Sequence, residues 1–133
     1  MATVTRSLPF QPDRVSLERP LAGPSMVFDL REEAEMLRRE SAWRRNRHNA
    51  RTLAKYADLR VVLTVAQAGV RMKAHEPNER IAVHVLRGHV RLMAGDRVID
   101  VREGQLAALD KALAHEIDAV EESAFLLHVS WPT

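Results

Sequence analysis

Short stretches in which apolar and polar residues alternate follow one another through the second half of the chain, and they constrain its fold more than any other feature. In the first stretch, Leu59, Val61, Leu63 and Val65 recur at every second position. Because successive side chains of a β-strand point to opposite faces, this spacing predicts a strand with one buried face.

Further stretches of the same kind are IAVHVLRG, HVRLMAGDRVIDV, QLAAL, HEIDAV and AFLLHVSW. Within the second of these, Ala94-Gly95-Asp96 separates two apolar runs and is typical of a hairpin turn. About seven or more short strands with close turn signals predict an antiparallel sandwich or a small β-barrel.

The residues before this region predict an arm and one helix. Most of the six prolines fall within residues 1–28, which indicates an extended arm because proline fixes φ and lacks a backbone donor. Asp29 suits a helix N-cap, and the apolar residues after it keep helical spacing to about residue 45. The predicted organisation is therefore an arm, then a helix and turn over residues 29–48, then a β-barrel over residues 50–133.

Length and composition exclude several classes of protein. The 133 residues form one domain with room for a core, and no apolar run approaches the length of a membrane span. There is no cysteine, which excludes disulfides, thiolate metal sites and a cysteine nucleophile. The first residues lack the continuous apolar region of a secretory signal, and we expect a cytoplasmic protein with no membrane partner.

Arginines cluster around Trp43, in the segment from Arg38 to Arg51. Clustered arginine with an aromatic residue suits a nucleic-acid surface, but a charge run is more often the solvated face of a helix followed by a basic turn. The 20 basic and 18 acidic residues of the chain nearly cancel. We therefore interpret this segment as solvated and do not expect nucleic acid as a partner.

Two groups of regularly spaced residues form a frame within the predicted barrel. The first group comprises Gly69, His75-Glu76-Pro77, Ile81 and Gly88, and the second comprises Gly104, Asp110-Lys111-Ala112, His115 and Ala119. In this spacing the chain resembles the cupins. The resemblance implies an all-β fold, an antiparallel β-barrel or jelly roll, here preceded by one N-terminal α-helix.

The same resemblance implies a metal site, because cupins hold a divalent metal with three histidines and a glutamate of these motifs. In this chain His75 and His115 stand at ligand positions, whereas Pro77 replaces a histidine and Ile81 replaces the glutamate. Glu79 lies two residues before Ile81, and strand alternation would place its carboxylate on the same inner face. It would then complete a two-histidine, one-carboxylate triad for iron, manganese, nickel or zinc. The alternative is that Glu79 is a solvated turn residue.

The predicted pocket of the barrel is lined by His75, Ile81, Val83, His115 and His128. His84 has the opposite parity to Ile81 and Val83, so we expect it to face away from this pocket.

Two functions remain open. We favour a cupin module with an incomplete metal site that binds an unidentified small molecule or acts as a dimeric regulatory domain. The alternative is a metal-dependent enzyme, such as a dioxygenase or isomerase, with a site made of His75, Glu79 and His115. The resemblance also implies a homodimer, because small cupins pair by packing sheets or exchanging N-terminal strands.

Overall fold

The computed structural model describes residues 20–73, 79–110 and 115–131. Within them, two helices precede a series of strands that alternate between two sheets. The helices are α1 (Leu30–Arg39) and α2 (Ser41–Asn46). The strands are β1 (His48–Lys55), β2 (Leu59–Ala66), β3 (Arg71–Lys73), β4 (Arg80–Arg87), β5 (His89–Ala94), β6 (Arg97–Arg102), β7 (Leu106–Leu109), β8 (His115–Ala119) and β9 (Ser123–Ser130).

The predicted single helix is two helices. The N-cap is confirmed, because the Asp29 carboxylate accepts a hydrogen bond from the Glu32 amide at 3.1 Å. The helix ends early at Glu40, whose backbone is extended with φ −77° and ψ 152°. Asn49 of β1 stabilises this break, since its side-chain amide donates both to the Leu37 carbonyl at 3.0 Å and to the Glu40 carboxylate at 2.9 Å.

Two antiparallel sheets pack face to face. The five-stranded sheet has the order β1-β2-β9-β4-β7, and the four-stranded sheet has the order β3-β8-β5-β6. This confirms the predicted all-β fold, as an open jelly-roll sandwich whose sheets are not closed into a barrel. The predicted hairpin is also confirmed, because Gly95, with φ 64°, lies in the two-residue turn between β5 and β6.

The core between the sheets takes apolar side chains from both of them. Its buried members are Ile81, Val83, Val85, Val90, Leu92, Val101, Leu109, Ile117, Phe125 and Val129. A second cluster lies on the other face of the five-stranded sheet, where Leu37 of α1 packs with Leu63 and Leu126. The five-stranded sheet is therefore covered on both faces along β9, which excludes water from most of the side chains of that strand.

The outer face of the four-stranded sheet is charged. Arg71, Asp118, Arg91 and Asp100 oppose one another in register across its four strands. Arg71 donates from Nε to Asp118 at 2.7 Å, and Arg91 donates from Nε to Asp100 at 3.0 Å. This alternation of sign makes the face a solvated one, since opposite charges paired across strands suit an exposed sheet. No helix among the described residues has the length and apolar character needed to cross a membrane.

Candidate functional site

The last residues of β3 and β7 and the first residues of β4 and β8 lie at one end of the sandwich. The chain leaves the end of β3 and enters β4 at Arg80, and it leaves the end of β7 and enters β8 at His115. Arg80 donates to Asp110 at 3.1 Å, which joins the start of β4 to the residue after β7. The topology thus places the backbone of His115 at this end.

The side chains of two predicted metal ligands, His75 and His115, lie outside the described part of the structure. His75 and Pro77 lie outside the described residues. His115 opens β8 opposite Ala94, and its side chain is also outside the described part. The metal site predicted from these two histidines therefore stays a prediction.

An arginine lies on the inner face at this same end. Arg60 of β2 is directly opposite Val129, which is opposite Ile81, which in turn is opposite Leu109. Directly opposed residues of an antiparallel sheet project to the same face. Because the last three belong to the core between the sheets, Arg60 projects towards the interior, where it forms the end of an apolar row.

Glu79 and Trp131 lie beside Arg60 at this end of the sandwich. We call the site formed by these three residues the mouth. Arg60 Nη2 lies 3.9 Å from Glu79 Oε2, and the Arg60 guanidinium carbon lies 6.0 Å from the centre of the Trp131 ring. The side chain of Arg60 is 34% exposed and that of Glu79 is 16% exposed. Glu79 is thus a half-buried residue beside a guanidinium, a different setting from that of a solvated turn residue.

Arg60 also carries a buried donor. Its Nε is shielded from solvent and has no hydrogen-bond partner among the described residues. Burying a polar group without a partner costs free energy, and the cost is larger for a charged group.

The interpretation of β2 as a strand with one buried face overlooked Arg60, because its position alternates with the apolar ones. The available signal was an arginine within a strand that also carries Val62 on the same side.

The other predicted pocket residues separate into two faces. Ile81 and Val83 are buried in the core between the sheets. His128 is opposite Ala82, alternates with core residues Leu127 and Val129, and therefore projects to the opposite, outer face of the sheet. The placement of His128 in the pocket does not agree with this register. No group of three or more His, Cys, Asp or Glu side chains close enough to hold a metal occurs in residues 20–73, 79–110 and 116–131.

His84 and His128 share the outer face. They lie on the paired strands β4 and β9, with His84 opposite Leu126, one position along the same face from His128. Burial lowers the pKa of His128 below its usual value, and the nearby charge of His84 lowers this pKa further.

We expect this lowered pKa to make folding stability depend on pH. Below the ordinary histidine pKa of about 6.5, the unfolded chain takes up a proton at His128 more readily than the folded chain does, so stability present above that pH falls on acidification. Urea unfolding at about pH 7.5 and about pH 5.5 measures this loss. His128→Gln should reduce it, and His84→Gln should reduce it less, because burial of His128 remains. An equal loss in wild type and His128→Gln would contradict the assignment.

The opposite end of the sandwich has a polar cleft that sequence reasoning did not predict. It has a volume of ≈ 570 Å³ and is lined by Arg87, Gly88, His89, Arg102, Glu103, Glu121 and Glu122. His89 Nε2 lies 2.8 Å from Asp100, and its hydrogen bond, followed by that of Arg91, lowers the pKa of this carboxyl. The pairing gives His89 a structural partner on the charged sheet.

Three of the six arginines from Arg38 to Arg51 make contacts within the fold, and the other three are exposed. Arg51 pairs with Glu33 and Glu40, Arg38 lies 3.4 Å from Glu122, and Arg47 donates to the Ala68 carbonyl at 2.8 Å. The ion pairs of Arg51 and Arg38 join α1 and its break to β1 and to the turn before β9, and the Arg47 hydrogen bond joins the end of α2 to the residues after β2.

Comparisons with known proteins give a fold and no closer relationship. No family model matches the sequence, and no curated protein matches it. Among solved structures, a conserved protein of unknown function from Streptococcus pyogenes is 23% identical, with 86% of this chain and 95% of that chain covered and a TM-score of 0.68.

Two further solved structures carry different functions. Ectoine synthase from P. lautus is 18% identical, with 82% of this chain and 80% of that chain covered and a TM-score of 0.61. The cupin domain of an XRE family transcriptional regulator from Enterobacter cloacae is 12% identical, with 65% of this chain and 99% of that chain covered and a TM-score of 0.58. Identities this low establish a common architecture, and the site must carry any argument about function.

Proposed function

We propose that this chain, which has the cupin fold, is a module that binds a small organic molecule at its mouth. The observation that supports this best is the composition of the mouth. Arg60 and Glu79 place polar groups beside the Trp131 ring, at the end of the apolar row formed by Val129, Ile81 and Leu109. A few convergent polar groups beside an aromatic side chain are typical of a small-molecule site.

A metal-dependent cupin enzyme is the second candidate. It is supported by Glu79, which is half-buried at the end of the sandwich where the topology also brings the backbone of His115. The carboxylate chemistry of Glu79 fits a divalent iron, manganese, nickel or zinc ion, and His75 and His115 would supply the imidazoles. Such a metal supplies Lewis acidity to an oxygen-bearing substrate. We favour the binding module because Glu79 already neighbours the Arg60 guanidinium, which competes with a metal for the carboxylate.

Metal analysis of tag-free protein distinguishes the two functions. After loading with iron(II), manganese, nickel and zinc in turn, we expect metal far below one ion per chain, because a site that lacks two family ligands binds metal weakly. The matched variants are His75→Ala, Glu79→Ala and, as a control on the outer face, His84→Ala. One metal ion per chain that is lost in the first two variants and kept in the third would overturn the binding module and establish the enzyme site.

The proposal includes a homodimer formed through the β7 side of the five-stranded sheet. Leu106 is 62% exposed there and lies near the exposed Ala108 on the same strand. This strand, β7, is an edge of the five-stranded sheet and contributes none of its described residues to the apolar cluster beneath α1 and α2. A two-fold pairing with a second copy would remove Leu106 of both chains from water. Val98, which is exposed on the outer face of the other sheet, provides a control position.

We expect sedimentation velocity to show a dimer in the wild-type chain. Leu106→Glu should convert it to a monomer, because each two-fold contact would bury two carboxylates. Val98→Glu should remain dimeric. A monomeric wild type, or a dimer that both substitutions leave intact, would overturn this part of the proposal.

A further inference from the structure

We infer that the ligand of the mouth is a small organic carboxylate with a flat apolar body, whose carboxylate binds Arg60 and whose body lies against Trp131. The inference rests on the proposed function and adds to it the chemical class of the ligand. It depends on the hydrogen bonds that Arg60 lacks and on the aromatic ring beside it.

Arg60 differs from Arg71 and Arg51, two arginines that have structural roles in this chain. It shares a buried Nε without a hydrogen-bond partner among the described residues with Arg38, whose Nε lies 3.4 Å from Glu122. Arg71 binds Asp118 with two hydrogen bonds, of 2.7 Å and 3.0 Å, in the fork geometry typical of arginine and carboxylate. Arg51 reaches two carboxylates. Arg60 has one carboxylate at 3.9 Å, which is beyond hydrogen-bond distance, and its Nε has no partner within the described ranges.

A guanidinium carries five donors in one plane, and leaving them unmade in a half-buried setting costs free energy. Arg60 is 34% exposed, so its terminal nitrogens are accessible from the solvent side. An anion with two oxygens in a plane matches these donors better than a single hydroxyl or carbonyl group does. This selects a carboxylate over a neutral polar group.

Trp131 determines the remainder of the ligand. Its ring lies 6.0 Å from the Arg60 guanidinium carbon and packs partly buried against the core between the sheets. The apolar row next to Arg60 consists of Val129, Ile81 and Leu109. Val129 and Ile81 are fully buried, so the body of a ligand bound through its carboxylate would contact the partly buried Trp131 ring, and this contact gains free energy when water is displaced.

Substitution of Glu79 should change the affinity for a carboxylate in the direction opposite to substitution of Arg60. Within the described residues, its carboxylate is the negative charge paired with the Arg60 guanidinium, and it both repels an incoming anion and competes for the same donors. The Glu79→Gln substitution should therefore strengthen carboxylate binding. A site that bound the ligand through a metal held by Glu79 would lose affinity instead.

The experiment follows Trp131 fluorescence in a Trp43→Phe background, in the presence of a metal chelator. The probes are benzoate with its neutral isostere benzamide, and succinate with succinamide. We expect saturable binding of benzoate at least about ten-fold tighter than that of benzamide, which corresponds to one charge-assisted hydrogen bond. Arg60→Gln should abolish this preference, and Arg60→Lys should keep part of it because the cation remains without the fork.

Arg80→Gln is the matched control, because Arg80 lies at the same end but is exposed and paired with Asp110. It should leave the preference for benzoate unchanged, while Glu79→Gln increases affinity several-fold. Equal binding of acid and amide that Arg60→Gln does not alter would overturn the inference and leave small-molecule binding intact. Loss in Arg80→Gln equal to that in Arg60→Gln, or weaker binding in Glu79→Gln, would also overturn it. Binding of none of the four probes would count against both the inference and the proposed function.

Discussion

Replacing Gly88 with alanine should destabilise the protein by about 3 kcal/mol or more, the sum of a strained backbone and a steric clash. Gly88 lies in the turn between β4 and β5 with φ 93°, a conformation that side-chain-bearing residues rarely adopt. An added Cβ would overlap the Glu122 carbonyl oxygen and the Ser123 hydroxyl, and would lie 2.9 Å from Ser123 Cα. Most of these atoms belong to backbone, so they cannot move aside without displacing the turn before β9.

Gly104 separates the clash from the strain. It has a similar φ of 84°, but an added Cβ would meet nothing within 4 Å. Gly104→Ala should therefore cost only about 1–2 kcal/mol, the penalty for the backbone conformation. Urea unfolding of both variants measures the difference. Equal losses in the two variants would show that the approach of the β4–β5 turn to Ser123 does not constrain the fold.

Much of the fold could be predicted because its signals are local. The alternation of Leu59, Val61 and Leu63 requires a strand, and Gly95 between two such stretches requires a tight turn. The break at Glu40 could not be predicted in this way. It depends on hydrogen bonds from Asn49 and Arg51, which reach it only after β1 has folded back along α1.

The mouth illustrates a second limit of sequence patterns. Alternation shows that Arg60 and Val61 face opposite ways, but it does not show which way is inward. Along β2, Leu63 and Val65 pack beneath the helices on one face, and Ala66 packs with Ala119 of the second sheet on the other. The polar position of the strand thus faces the interior, and His128, expected there, projects to the outer face. The resemblance to cupins indicated His75 and His115 as ligands, which stays a prediction, and it did not associate Glu79 with Arg60.

Replacing Arg51 with alanine should destabilise the protein by about 2–3 kcal/mol, because half-buried carboxylates lose their cation. Arg51 is 13% exposed, and its two terminal nitrogens contact Glu33 of α1 and Glu40 at the helix break. The residue therefore joins β1 to both the helix and the break. Loss of the contact leaves Glu40 with the amide of Asn49, which donates at 2.9 Å but carries no charge.

Arg39 gives the matched control, because it lies on α1, the helix that Arg51 contacts through Glu33. It is 75% exposed and lies 3.9 Å from Glu35, one helical turn away. Exposed pairs of this kind contribute little, and Arg39→Ala should cost no more than about 0.5 kcal/mol. Urea unfolding compares the two variants, and amide exchange in α1 locates the loss. Rapid exchange in α1 of Arg51→Ala, with the β4 and β9 amides still protected, would mean that the helix undocks before the sandwich unfolds. If instead the two variants lost equal stability, Arg51 would act as a surface charge, and apolar packing of the helices, including Ala34 and Leu37, would hold them on the sheet.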